Sequence, residues 1–406
     1  METTAKCPVF GQCGGCSAQH IPYEAQLENK KQFVERLIKK SGIEIENAVI
    51  GVFSDKPYGY RNRMDFIVHQ NGLGFRQKGD WKKVIDIENC PISNNQLNIL
   101  LKEVREFFNQ NKDRLKVFDI FKHTGTLRYA VIRTPDFSED SSISFVLNVD
   151  NIDNTTLDLL KEFSQKCSAK NVVFAYVPKN TDNSISEEYA VIKRSETKFQ
   201  ASQKSEDFLG GNDFLKEKFC GYDFYYDIQG FFQNNSAMAD KMLQYVRGLF
   251  ESCNLQKEKS LLVDLYGGVG TFGIISSPRF SEVLTIESYK KSTEKAEMNI
   301  KENKIQNVKA VCQDAMSLKK IELEKWSRGK DLYVLTDPPR SGMHKKAIQY
   351  LLEIKPKSII YVSCNPQQLS VELEKFKGDY KTKSIAMFDL FPQTPHIETV
   401  VELVRK

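Results

Sequence analysis

From residue 234 onward, short apolar runs alternate with helical stretches, and this alternation limits the possible folds more than anything else in the chain. Residues 234–250 have the spacing of an amphipathic helix, and the runs at 261–266, 282–287, 308–312, 332–336 and 358–363 have the length and apolar character of buried strands. Strands apolar on both faces need cover on both sides, so the pattern predicts a doubly wound, mostly parallel, Rossmann-like α/β sheet. Such sheets take their ligands at the carboxyl ends of the strands. The segment 396–404 holds a further run of β-branched residues suited to an added strand.

Residues able to do chemistry collect at those predicted strand ends. Val263-Asp264-Leu265-Tyr266-Gly267-Gly268-Val269-Gly270-Thr271-Phe272 reads as strand, glycine turn and helix start, where the glycines admit a ligand close to the backbone. On its own such a turn serves NAD, FAD or a nucleotide equally well. Several details favour S-adenosylmethionine. The turn lacks the G-x-G-x-x-G spacing of a pyrophosphate site, and Asp264 is placed to bond a cationic amino group. Glu287, about 20 residues on, ends the next strand, where an acid bonds ribose hydroxyls. Asp314, after the third strand, faces the adenine or else caps a helix. Cys364, in Ser363-Cys364-Asn365-Pro366, stands at a strand-to-loop edge downstream of Asp337-Pro338-Pro339-Arg340. Alone it would be a packed thiol; among the other strand-end motifs it reads as a nucleophile.

The chain's 406 residues leave room for roughly two or three domains. Its 58 Lys+Arg against 53 Asp+Glu give a net charge of +5, which permits a polyanionic partner without requiring one. No apolar stretch is long enough to span a bilayer, and residues 1–6 lack the apolar core of a signal peptide. A cytoplasmic protein without a membrane partner is expected. Upstream of residue 230 the pattern changes to an α+β region. Helical spacing at 23–40, 94–109 and 151–166 is interleaved with strand-like alternation at 49–90, 128–134, 143–149 and 171–177.

Nine cysteines in a chain without an export signal argue against a disulfide framework. Cys167, Cys220, Cys253 and Cys312 are scattered as ordinary buried thiols are, but Cys7, Cys13 and Cys16 form a compact group. Gly14-Gly15 allows a tight turn that lets Cys13 and Cys16 face one centre. Zinc and an iron–sulfur cluster both take four thiolates, and Cys90 in Asn89-Cys90-Pro91-Ile92 is the candidate fourth ligand. Spacing alone does not choose between them.

Gly230-Phe231-Phe232-Gln233-Asn234-Asn235, Asp337-Pro338-Pro339-Arg340, Ser363-Cys364-Asn365-Pro366 and His396-Ile397-Glu398-Thr399, with the glycine turn and in this order, closely resemble the RNA uracil-C5-methyltransferases that form 5-methyluridine. The cysteine group, Gln19-His20 and Gly74-Phe75-Arg76 leading to Asn89-Cys90-Pro91-Ile92 are similar to the branch that carries a [4Fe-4S] cluster and modifies 23S ribosomal RNA. The resemblance implies a methyltransferase domain at 231–406, a central α+β RNA-binding domain at 49–230 and a cysteine-cluster segment with a helix at 1–48. It implies Cys364 as nucleophile on uracil C6 and Glu398 as general base. Gln233, Tyr266, Thr271, Glu287 and Asp337 become cofactor contacts, and Cys7, Cys13, Cys16 and Cys90 cluster ligands.

The substrate expected on this ground is a uridine of 23S rRNA, with a tRNA uridine as the alternative. A non-catalytic iron–sulfur RNA-binding protein is the rival from another class. Carbon 5 of uracil is a poor nucleophile, so a thiolate must add at C6 before a methyl group can be taken up. Uracil in a helix is out of reach, so the base must be unpaired or flipped, with Phe231 or Phe232 available to stack on it. Arg61, Arg63, Arg76 and Arg133 are candidate phosphate contacts. The protein is expected to act as a monomer.

Overall fold

The central strands of the C-terminal half are unbroken apolar runs because both of their faces are buried. In the computed structural model, which describes residues 3–46, 49–193, 213–253, 255–315, 317 and 320–406, every residue of Ser260–Leu265 and Ser358–Ser363 is buried. Alternate side chains feed two separate cores, Ile360 and Val362 on one face and Ile359 and Tyr361 on the other. Helices cover both sides, as doubly wound sheets require.

Eight strands form this sheet, in the order Ile50–Phe53, Tyr380–Phe388, Glu398–Arg405, Ser358–Ser363, Asp331–Thr336, Ser260–Leu265, Glu282–Glu287, Val308–Cys312. The last five are mutually parallel. Glu398–Arg405 is inserted antiparallel to both of its neighbours. Strand order reverses at Ser260–Leu265, which pairs with Glu282–Glu287 on one side and with Asp331–Thr336 on the other. A crevice opens at the carboxyl ends there.

The other large sheet has seven strands, in the order Asp80–Asp86, Gly72–Gln77, Arg63–His69, Leu127–Arg133, Ser142–Asn148, Asn171–Val177, Tyr189–Lys193. It is antiparallel except where helix Asn154–Lys166 carries the chain from Ser142–Asn148 to its parallel neighbour Asn171–Val177. That helix and Asn95–Asn111 pack on one face through Leu97, Leu101, Leu160 and Phe163.

The segments 1–48, 49–230 and 231–406 do not coincide with these sheets. Helix Tyr23–Ser41 packs on Pro366–Phe376, and Ile50–Phe53 is an edge strand of the C-terminal sheet, paired with residues 385–388. The hairpin Phe214–Phe219 and Tyr222–Asp227 docks on helix Lys290–Glu302 and shares its core with the same sheet. Apolar contact between segments distant in sequence, which local periodicity does not report, draws them together. The cut at 48/49 also falls against residues outside those described. Among the described residues no helix is long and apolar enough to cross a membrane.

Candidate active site

Because Glu398–Arg405 runs antiparallel to Ser358–Ser363, its first residue lies at the edge where its neighbour ends: Ser363 pairs with Thr399. Cys364 and Glu398 therefore reach the same end of the sheet from positions far apart in sequence. Asp337 follows directly on the next strand over, and its amide faces Leu265 O at 3.4 Å. Asn365 caps helix Pro366–Phe376 and donates from Nδ2 to Arg340 O at 2.9 Å. That bond ties the cysteine loop to the Asp337–Arg340 loop.

The electrostatics of this edge are unusual. Burial, then the nearby Glu398 and Asp337 carboxyls, push the half-buried Cys364 thiol up to about 11, with Arg340 opposing them. Glu398 is 9% exposed, and burial holds its carboxyl well above the usual range, Asp337 adding to the shift and Arg340 opposing it. Burial also raises Asp337, to about 7. Burial first, and then the crowding of carboxyls, disfavours the thiolate that a nucleophilic cysteine needs. Arg340 is the cation acting on both Cys364 and Glu398, a role its motif gave no sign of beyond the presence of a charge.

The glycine turn forms as expected, and Gly267, with Gly273 in the helix that follows, leaves no space for a side chain. A Cβ on Gly267 would come within 2.2 Å of Thr285 Cγ2, and one on Gly273 within 2.3 Å of Thr285 Oγ1. Tyr266 has φ +60°, a left-handed conformation unusual for a side-chain-bearing residue. Its hydroxyl accepts from His344 N at 3.3 Å. Glu287 accepts from Gly268 N at 3.0 Å and Tyr289 N at 2.7 Å, so it braces the turn and retains lone pairs for hydroxyl donors.

Thr271 opens helix Thr271–Ser276. Asp314 is exposed after Val308–Cys312 and acts electrostatically on Tyr266. Gln233 is half-buried in the loop before helix Ser236–Ser252. Asp264 needs correction as a contact for an amino group. It is fully buried beneath the turn, where Oδ2 accepts from Gly273 N at 3.0 Å and Thr285 Oγ1 at 3.4 Å. Its Oδ1 lacks a partner among the described residues, and burial raises the group to about 8.

The loop leading to Glu398 is held by residues that sequence reasoning passed over. Gln26 and Gln393 exchange amide hydrogen bonds at 3.0 and 3.2 Å, with Gln393 in a left-handed conformation. Ser17 N and Ala18 N donate to Gln393 O at 2.9 and 3.1 Å. Lys30 Nζ lies 2.7 Å from Asp389 Oδ1, both side chains buried, and Tyr23 donates to Asp389 Oδ2 at 2.9 Å. Tyr60 donates to Pro392 O and Asn235 to Leu390 O. These partners stand at least 155 positions apart, so no local signal reveals them.

Cys7, Cys13, Cys16 and Cys90 line one cavity of about 210 Å³, with Phe10, Gln19, Arg61 and Phe75 among its walls. Burial raises Cys13, Cys16 and Cys90, Cys16 to about 11. Among the described residues, no three His, Cys, Asp or Glu side chains converge closely enough to hold a single metal ion.

Two other expectations are corrected. Arg133 is 3% exposed, donates to Gly230 O and lies over the Tyr226 ring, so it is not a phosphate contact. Phe232 is buried and stacks on Tyr226 at 3.9 Å, leaving Phe231, 76% exposed, as the free ring of that loop. Arg61 donates to Arg63 O, while Arg63 and Arg76 pair with Asp65 and Asp182.

A doubly wound sheet with a glycine turn and carboxylates at its switch point has the architecture of the S-adenosylmethionine-dependent methyltransferases. Residues 188–406 match the family model tRNA (Uracil-5-)-methyltransferase. The chain is 33% identical over 404 residues to the tRNA (uracil(54)-C(5))-methyltransferase of Pyrococcus horikoshii, covering 100% of this chain and 86% of that protein. It is 31% identical over 413 residues to an uncharacterized RNA methyltransferase of Clostridium tetani, covering 99% and 84%. The crystal structure of Pyrococcus abyssi tRNA (uracil-54, C5)-methyltransferase in complex with S-adenosyl-L-homocysteine superimposes with a TM-score of 0.75 at 28% identity, over 97% of this chain and 86% of that one. The chain belongs to the tRNA (uracil-5)-methyltransferase family of RNA uracil-C5-methyltransferases. Its reaction is S-adenosylmethionine-dependent methylation of uracil C5 in RNA.

Proposed function

We propose that the substrate is a tRNA uridine, and that Cys364 and Glu398 carry out the reaction at opposite ends of its course. The observation that carries the roles is the Ser363–Thr399 pairing, which brings a thiol and a carboxyl to one strand end. Cys364 gives up its proton to solvent and its sulfur bonds to C6, the C5–C6 π electrons moving toward C5 and O4 to give an enolate with a nucleophilic C5. S-adenosylmethionine would supply the methyl group to C5, its S–CH3 bond breaking so that neutral S-adenosylhomocysteine leaves. Glu398 then removes the proton left on C5, the C5–C6 double bond re-forms, and the C6–S bond breaks to release Cys364. Gln233, Tyr266, Thr271, Glu287, Asp314 and Asp337 border the cofactor. Phe231 stacks on the flipped base.

The tRNA reading replaces 23S rRNA because the Pyrococcus relatives, similar along nearly the whole chain, bear tRNA names. Incubation of the protein and cofactor with 5-fluorouridine transcripts of both RNA classes tests it. Fluorine on C5 cannot be removed as a proton, so a denaturation-resistant adduct should form with tRNA and be lost in Cys364→Ala. An adduct with rRNA fragments alone would restore the ribosomal reading.

The seven-stranded sheet and its helices are read as the RNA-binding part. The cysteine cavity is read as the seat of a [4Fe-4S] cluster, supported by the four cysteines that line one space. The cluster would hold residues 7–16 against Cys90. Anaerobic purification should yield brown protein with iron and acid-labile sulfide in equal amounts, and a colourless zinc protein would overturn this reading.

A further inference from the structure

The face of the seven-stranded sheet opposite its helices carries a second cavity, of about 270 Å³. Strand Arg63–His69 alternates, sending Met64, Phe66 and Val68 into the helix-side core, while Ile67 and His69 border the cavity. Its walls are aromatic and basic. Arg128, 4% exposed and donating to Pro178 O and Thr181 O, lies 4.0 Å over the Phe118 ring, and Phe121 on the rim is 63% exposed. Trp81 is 56% exposed, with Arg76 and Lys82, both lining the cavity, 5.7 and 5.9 Å from its ring. Asp182 pairs with Arg76 and accepts from Tyr129, and Asp119 is the other acid on the wall. His69 Nε2 and Arg128 Nε lack partners among the described residues.

Exposed rings interleaved with cations are a platform for unpaired nucleotides, since bases stack on the rings and phosphates meet the charges. The volume falls just under the range of about 300–1,000 Å³ usual for drug-sized ligands, a scale suited to one base. The position also fits RNA. Just before the strand, Asn62 bonds to the Phe231 loop, its amide to Asn234 O at 3.0 Å and its Nδ2 to Gln233 O at 3.1 Å. From Arg63 to His69 the strand then runs roughly 20 Å away from that loop.

We propose that this cavity, with Phe121 on its rim and Trp81 beside its Arg76 and Lys82 wall, holds an unpaired nucleotide of the RNA substrate at a distance from the uracil being methylated. The proposal rests on RNA being the substrate, but not on the roles of Cys364 and Glu398. Trp81 and Trp326 are the chain's two tryptophans, so Trp326→Phe leaves Trp81 as sole reporter. An unpaired oligoribonucleotide should quench its fluorescence saturably, and less so as salt rises. Phe121→Ala should weaken that binding by about 5- to 150-fold, the range for losing one stacked base. Trp81→Ala, read by activity, should raise KM for RNA with kcat preserved. Absence of quenching, or Phe121→Ala binding unchanged, overturns the subsite. If the 5-fluorouridine adduct still forms in that case, the catalytic reading stands without it.

Discussion

The crowding of carboxyls at the strand ends makes a prediction about charge. Asp337, raised to about 7, and Glu398, also raised by burial, face Cys364 with Arg340 opposing them. The arrangement is short of positive charge until a cation arrives. A sulfonium bound beside Asp337 favours its ionised form, so binding lowers its pKa and expels a proton. The sign follows from that: affinity for S-adenosylmethionine should rise with pH and level off once Asp337 is ionised in the free protein. Going from pH 6 to pH 8 across a free pKa near 7 takes the ionised fraction from about 0.1 to 0.9, an affinity gain of about tenfold. At pH 7, Asp337 alone should release about half a proton. S-adenosylhomocysteine has the same amino acid and nucleoside portions but a neutral sulfur, so its slope and proton release should be smaller. Calorimetry in two buffers of different ionisation enthalpy measures both quantities. Equal proton release by the two ligands, or flat affinity from pH 6 to 8, would refute the reasoning; Asp337→Asn should abolish the slope.

Glu398→Gln should stop the reaction after methyl transfer, so that a methylated covalent adduct accumulates on ordinary uridine RNA and is seen by denaturing gel and mass spectrometry. Free product at the normal rate would remove Glu398 from the mechanism. Gly267→Ala should cost roughly 1–3 kcal/mol through its clash with Thr285 Cγ2 and weaken cofactor binding. Adding Thr285→Ser, which deletes that methyl but keeps the hydroxyl facing Asp264, should restore most of it by thermal shift and ligand titration. Lys30→Met leaves the buried Asp389 without its cation and should destabilise the protein by about 3–5 kcal/mol in urea unfolding. A loss under about 1 kcal/mol would mean that water or Tyr23 compensates.

Much of the C-terminal sheet was legible because its strands are buried on both faces and carry their own apolar signature, as in 261–266 and 358–363. The glycine turn was legible for a local reason too, since its close approaches admit no side chain. Asp264 misled, because a strand-end acid reads the same whether it faces a ligand or lies beneath the turn bonding Gly273 N. Arg133 misled likewise: an arginine at a strand end looks solvated until Gly230 and Tyr226 close over it. The edge strand Ile50–Phe53 left little trace, since four residues carry too short a pattern to declare which sheet they join. The Gln26–Gln393 and Lys30–Asp389 pairs had none, for their separations of 367 and 359 residues exist only once the chain has folded.

Those long-range pairs explain how a carboxyl after an irregular loop is held in register with a thiol. Glu398 is fixed downstream by its strand, but the stretch from Asp389 to Ile397 makes no sheet and needs other anchors. Beside Tyr60 and Asn235, the first thirty residues supply most of them, with backbone amides at 17–18, the Gln26 amide and the buried Lys30 charge. Ser17 comes directly after Cys16, and Gly14 N donates to Arg76 O at 3.0 Å. The cysteine segment thus touches the antiparallel sheet on one side and the Glu398 loop on the other. On the proposed mechanism, whatever orders the four thiols should affect proton removal at C5 as well as the fold. Its loss should retard the step that depends on Glu398 more than the addition that depends on Cys364.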